Sequence, residues 1–240
     1  MQHSRRNRLA CGVTAALCAA ACCTAALSAE AKRPVRTPVR DERQVFRRYT
    51  HNWMEIRNHN IVMQQRDYSC GAAALATLLR YHWGDPVTET QVLQEVVKML
   101  TQEEMKDRIE KGLSLTDLRK VSVRMGYQAT IGKLSFDKLK DSKVPLVVGL
   151  VVNKFDHFVV YRGTDGYYVY LADPARGNVR TPIPQFLEQW QQNAVLVVVK
   201  SGVDPNKPSP LNVDPEEAFL GELNRLYLRD RLSSLPPLND

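Results

Sequence analysis

The feature that most constrains this chain is the run from Cys70 to Trp83 (CGAAALATLLRYHW), which is rich in Ala and Leu and has almost no polar face. A helix that is apolar nearly all round must be enclosed by other elements on most sides. The run therefore reads as a central helix. Ser69 stands at its N-cap position, and Gly84, Asp85 and Pro86 supply turn residues at its end. A chain of 240 residues, 44% of them hydrophobic, has enough material for one domain with a real core plus appended segments.

Around that helix the pattern divides in two. Apolar content begins at Trp53 and Ile56, and Ile61 and Val62 read as a short strand leading into Gln64 and Gln65. A second helix is expected from Thr88, with Thr88 and Gln91 at capping-box spacing and Val92, Leu93, Val96, Val97 and Leu100 on one stripe. Thr101 and Glu104 repeat the device for a helix stopped by Gly112. Ser114 opens another, which carries Leu115, Leu118, Val121 and Met125 and ends at Gly126. Beyond Gly126 come short β-branched and aromatic runs: Tyr127 to Ile131, Leu146 to Val152, His157 to Arg162, Tyr167 to Ala172 and Ala194 to Lys200. Thr164, Asp165 and Gly166 join the third and fourth as a hairpin. Helices first and antiparallel strands second predict an α+β fold of two lobes, with a groove between them suited to a peptide.

The two ends of the chain read differently. Arg5, Arg6 and Arg8 precede an apolar, small-residue stretch from Leu9 to about Leu27, so residues 1–29 read as a secretory signal peptide. The chain is then periplasmic, with a membrane anchor only if the leader stays uncleaved. The arginine pair is only a weak match to a twin-arginine signal. Residues 30–52 form a basic arm with Pro34 and Pro38, read as flexible and solvated, and the folded domain spans 53–201. Residues 202–240 read as a Pro-rich linker followed by an amphipathic helix from Asp214, carrying Phe219, Leu220, Leu223, Leu226 and Tyr227. Formal charge is +7, and removing the three leader arginines leaves about +4, too little to imply nucleic acid.

Cysteine usage follows from the leader. Cys11, Cys18, Cys22 and Cys23 fall inside it, and only Cys70 remains. An exported chain with one cysteine makes no internal disulfide, and its free thiol needs a reason to exist in an oxidising compartment.

Three residues supply one. A cysteine nucleophile needs its thiolate, a base within reach and donors aimed at the developing oxyanion. An ordinary thiol is only about 3% thiolate at neutral pH, whereas a helix N-terminus plus an imidazolium can make it almost wholly thiolate. Cys70 opens the apolar helix, where its sulfur faces the positive end of the dipole; the plainer reading is a small buried core residue. His157 begins a strand and can face that helix end across a groove. His82, at the far end of the Cys70 helix, lies about 18 Å away at 1.5 Å per residue. Asp173 ends the strand that pairs with the His157 strand, so the hairpin brings its carboxylate to the imidazole. Asp156 is adjacent to His157 and points to the opposite face. Taken singly, His157 also fits a surface position and Asp173 an Asp-Pro turn.

The segments QQRDYSCGAAALATLL, HFVVYRG and ADPARG together resemble the bacteriocin-processing, double-glycine leader peptidases of the papain-like superfamily, over about residues 61 to 200. That resemblance implies Cys70 as nucleophile, His157 as general base and acid, Asp173 as orienter, and an upstream glutamine as oxyanion donor. Gln64 has the usual spacing, and Gln65 is the alternative. Typical members are fused to an export transporter; this chain is similar instead to freestanding exported relatives that accompany secretion systems for amyloid-like fibre subunits. The resemblance implies a polypeptide substrate, such as a secreted fibre subunit or another secretion-system component, and no cofactor. No metal-ligand spacing or phosphate-binding glycine motif competes. Three readings stand: an exported endopeptidase, a cell-wall peptide hydrolase, and a non-hydrolytic binding module of a secretion apparatus.

Overall fold

The computed structural model describes residues 36–40, 45–49, 52–213 and 217. The leader and most of the C-terminal helix lie outside these residues. Within the basic segment, β1 (Arg36–Arg40) and β2 (Val45–Tyr49) pair antiparallel, Arg36 opposite Tyr49.

A separate compact unit begins at Asn52. Its first helix, α1 (Trp53–Arg57), is capped by an Asn52/Glu55 box. α2 (Cys70–Thr77) is buried at every residue, as its composition demands. The expected helix does not run to Trp83 in one form: after Thr77 it widens into a π-turn from Leu78 to His82, with the Trp83 N–H donating to the Leu78 carbonyl at 3.3 Å. α3 (Glu89–Met99) and α4 (Gln102–Lys111) start at the capping boxes read from sequence, Thr88/Gln91 and Thr101/Glu104. α5 (Leu115–Arg124) has a further box, Ser114/Asp117, whose aspartate also takes Arg108 at 2.6 Å.

Six strands then form one antiparallel sheet: β3 (Gln128–Lys133), β4 (Leu146–Val152), β5 (Phe155–Thr164), β6 (Tyr168–Asp173), β7 (Gly177–Pro182) and β8 (Trp190–Val199), in the order β3-β8-β4-β5-β6-β7. Two short helices, α6 (Phe136–Lys140) and α7 (Ile183–Gln189), are interspersed. The sheet is covered on both faces. One core joins Leu75, Leu78, Val92 and Leu118 of the helices to Phe158, Val160 and Leu196 of the sheet; the other joins Leu139, Phe186 and Trp190 to Val148, Val159 and Leu171. Double coverage explains why β4 reads as an unbroken apolar run, LVVGLVV, rather than alternating.

Two further expectations change. Ile61 and Val62 form no strand: the Val62 N–H donates to the Thr77 hydroxyl of α2 at 2.9 Å, so this backbone is satisfied by a helix side chain instead of a ladder. The Pro-rich stretch after Val199, read as a linker, packs on the domain. Leu211 is fully buried, its carbonyl and that of Asn212 accept from the Arg162 guanidinium, and Glu217 pairs with the same group at 2.9 Å. Arg162 is free to turn that way because a register shift between Tyr161 and Gly163 takes it out of the β5–β6 ladder.

Candidate active site

Cys70 is the first residue of α2, and the local sequence explains how it gets there. A Cβ on Gly71 would come within 3.2 Å of Leu118 and Phe158, so glycine lets the start of α2 settle on β5 without pushing those side chains aside. Ser69 occupies the N-cap position without capping. Its φ and ψ, −99° and 8°, are not extended, and its hydroxyl turns back to donate to the Arg66 carbonyl at 2.7 Å. The first-turn N–H groups of α2 are therefore left without a side-chain acceptor beside the thiol. Cys70 itself is buried and free.

β5 brings His157 to that helix end. The strand starts two residues earlier than sequence suggested, because the turn before it contains only Asn153 and Lys154, both at positive φ. His157 Nε2 donates to Asp173 Oδ1 at 2.8 Å, which leaves Nδ1 as the nitrogen available for its hydrogen bond with Cys70. Asp156 does face elsewhere: its carboxylate accepts from the Gln191 amide at 3.0 Å.

Asp173 is fully buried at the end of β6 and saturated with donors. Oδ1 also accepts from the backbone N–H groups of Ala175 and Arg176 at 2.8 and 3.1 Å, and Oδ2 accepts from Arg176 Nε at 2.7 Å. Burial alone would raise this carboxyl's pKa, but the bond from His157, that ring's charge and Arg176 together hold it at about 2. For His157 burial pulls the pKa down, and the bonds to Asp173 and Cys70 overcome it, leaving the ring pushed up to about 9. The imidazole is accordingly positively charged at neutral pH.

The structure also brings Gln64 to this place. Its backbone N–H donates to the Pro174 carbonyl at 2.9 Å, stitching the loop before Cys70 to the turn that carries Asp173. One amide N–H of its half-buried side chain donates to the Arg66 carbonyl at 3.2 Å. The side chain of Gln65 is exposed, and its backbone N–H donates to the Glu89 carboxylate at 3.1 and 3.2 Å.

Arg176 and Glu89 were not found by sequence reasoning. A signal existed for the first: an Asp that opens a turn commonly accepts backbone N–H groups two and three residues on, which places the residue at that third position beside its carboxylate. Glu89 gave none, since an acidic residue in a first helical turn is ordinary dipole complementation. Among the described residues no group of three or more His, Cys, Asp or Glu is placed to hold a metal ion, and no helix is long and apolar enough to cross a membrane.

Comparison with known proteins gives this arrangement a context. Residues 58–202 match the model of the peptidase C39 family. The chain is 33% identical over 186 residues, 78% of its length, to a protein of Pseudomonas aeruginosa named "Probable functional amyloid protease FapD", covering 76% of that protein. A protein of the same name from Pseudomonas fluorescens is 33% identical over 162 residues, 65% of this chain and 70% of that one. The fold is similar to the crystal structure of the peptidase domain of Streptococcus ComA, with a TM-score of 0.50 and 16% identity over 59% of this chain and 98% of that domain.

Proposed function

The chain belongs to the peptidase C39 family of cysteine peptidases, and on that premise we propose that it is an exported endopeptidase in which Cys70, His157, Asp173 and Gln64 cut a peptide bond of a secreted protein. The observation that carries this reading is the hydrogen-bonded row from Cys70 through His157 to Asp173 at the uncapped start of α2.

In this reading the Cys70 thiolate attacks the scissile carbonyl carbon, forming the C–S bond as the carbonyl π electrons move to oxygen. The Cys70 backbone N–H and the remaining N–H of the Gln64 amide stabilise that oxyanion. On collapse the C–N bond breaks, and the leaving nitrogen takes its proton from His157, whose elevated pKa keeps one available. His157, now neutral, accepts a proton from the water that hydrolyses the thioester, and the cycle closes. Asp173 holds the ring with Nε2 toward itself and Nδ1 toward the sulfur, a positioning role reinforced by Arg176 and the turn N–H groups.

Export to the periplasm rests on the leader pattern of residues 1–29. A role in a functional-amyloid secretion system, with a fibre subunit or companion protein as substrate, rests on the likeness to the two Pseudomonas proteins so named. Mass spectrometry of proteins secreted by cells carrying the native chain or Cys70→Ala tests both parts. A cleavage product that disappears in the variant is the expected result; identical products with lost secretion would replace the peptidase by a scaffold. On purified protein, iodoacetamide should alkylate Cys70 at pH 6 far faster than an ordinary thiol, which is only about 0.3% ionised there.

A further inference from the structure

Among the described residues the buried carboxyl side chains are those of Asp173, Asp117 and Glu89, and the first two have charged partners. Asp173 holds His157, and Asp117 caps α5 and takes Arg108. Glu89, 2% exposed in the first turn of α3, has no ion pair among the described residues: both its oxygens accept from a single backbone N–H, that of Gln65, at 3.1 and 3.2 Å. Burying a carboxyl group with one donor and no cation is costly, and the N-terminus of α3 offsets only part of that cost. What Glu89 holds gives the position a reason.

Residues 61–69 form no helix or strand, so the Gln64 side chain takes its direction from whatever fixes its backbone. Two bonds do so, one on each side of its Cα. The Gln64 N–H donates to the Pro174 carbonyl at 2.9 Å, and the next peptide N–H is the one on Glu89. Together they fix the two peptide planes that meet at Gln64, and with them the direction of its Cα–Cβ bond. The side chain adds little of its own. Its amide nitrogen reaches the Arg66 carbonyl at 3.2 Å, and its oxygen is buried without a partner among the described residues. Glu89 is a steady anchor, because the fully buried Val92 and Val96 tie α3 into the core.

We propose that Glu89 is a positioning residue that aims the Gln64 amide at the oxyanion. The inference rests on the peptidase reading above, in which that amide is a donor. The test measures kcat and KM on a fluorogenic peptide chosen from a synthetic mixture, for the purified native chain, Glu89→Ala, Glu89→Asp and Glu89→Gln, each also in a Gln64→Ala background. Gln64→Ala alone should lower kcat by about 10² to 10³. Glu89→Ala should lower kcat by about tenfold to a hundredfold with KM unchanged. Glu89→Asp, which draws the carboxyl back by one methylene, should do the same to a lesser degree. Glu89→Gln should keep most of the turnover, since its amide oxygen still accepts the Gln65 N–H. In the Gln64→Ala background none of the three should cost more than about twofold further. Alkylation of Cys70 by iodoacetamide at pH 6 forms no oxyanion, so it should keep its native rate and certify a folded site; where Glu89→Ala fails that check, Glu89→Asp carries the comparison. An equal loss with and without Gln64, a loss confined to KM, native turnover in Glu89→Ala and Glu89→Asp, or slow alkylation in both would overturn the inference alone. Native turnover in Gln64→Ala would overturn the oxyanion role of Gln64 with it, and a native chain that cuts no peptide would overturn the peptidase reading as well.

Discussion

The helix that opens at Cys70 and runs through its π-turn has a histidine at each end, one half-buried and one fully buried, and their environments drive them in opposite directions. At the start, His157 is pushed up to about 9 by its bonds to Asp173 and Cys70. At the far end, His82 is buried edge-on against Trp83, 4.5 Å between ring centroids. Neither of its ring nitrogens has a well-formed hydrogen bond among the described residues. Burial, helped by the Lys207 ammonium, lowers its pKa against a partial offset from the nearby Pro205 carbonyl. A helix dipole acting alone would do the reverse, disfavouring the cation at the N-terminus and favouring it at the C-terminus. Specific partners outweigh the macrodipole at the Cys70 end and burial outweighs it at the other, and only the first end sets a carboxylate against its imidazole.

The comparison breaks most severely if Asp173 is neutralised. Asp173→Asn keeps an oxygen for the Ala175 and Arg176 N–H groups but removes the charge that supports the imidazolium, so kcat should fall by about 10³ to 10⁴. Measured turnover within tenfold of the native value would mean that His157 does not depend on this carboxylate.

The next effect is on stability at alkaline pH. The folded pKa of His157 is raised above its usual 6.5, so its contribution is fully present below 6.5 and is lost as pH rises through about 9. At about 1.4 kcal/mol per tenfold change in proton affinity, the loss is on the order of 3 kcal/mol, shared with Asp173 as one pair. Thermal melting followed from pH 6 to pH 10 should show this decline in the native chain and not in His157→Gln.

The smallest effect belongs to the other end. His82 has a lowered pKa, so above pH 6.5 it is neutral in both states and contributes no pH dependence. As pH falls below 6.5 the unfolded chain takes up a proton that the buried ring resists, and stability drops. His82→Phe should remove that acid-side decline while changing stability at pH 8 by only about 1 kcal/mol. An acid decline of equal size in both proteins would show that the two histidines are less different than their surroundings imply.

The contrast between the ends also marks what was legible in sequence. Cys70, His157 and Asp173 were found because a helix start, a strand start and a strand end joined by a hairpin have fixed relations that local pattern reveals. The capping boxes at Thr88 and Thr101 and the limits of β4 were equally plain. Long-range satisfaction of polar groups was not. Nothing in the sequence says that Arg162 leaves its ladder to hold Leu211 and Asn212, that the Ser69 hydroxyl serves the loop rather than the helix, or that the Ile61–Val62 backbone bonds to Thr77. β7 escaped because GNVRTP is polar and proline-ended, as an edge strand can afford to be. The π-turn escaped because it leaves the apolar pattern unchanged and adds only one residue to a turn.

The bond from the Gln64 N–H to the Pro174 carbonyl closes a chain segment of about 110 residues, with α2 to α5 and most of the sheet inside it. Loop closure on that scale must wait for the long-range contacts that reward it. Cys70 is thus synthesised well before His157 and Asp173, and the three come together only when β5 and β6 dock at the start of α2. A half-folded chain therefore carries the cysteine without the imidazole and carboxylate that stand beside it in the finished fold.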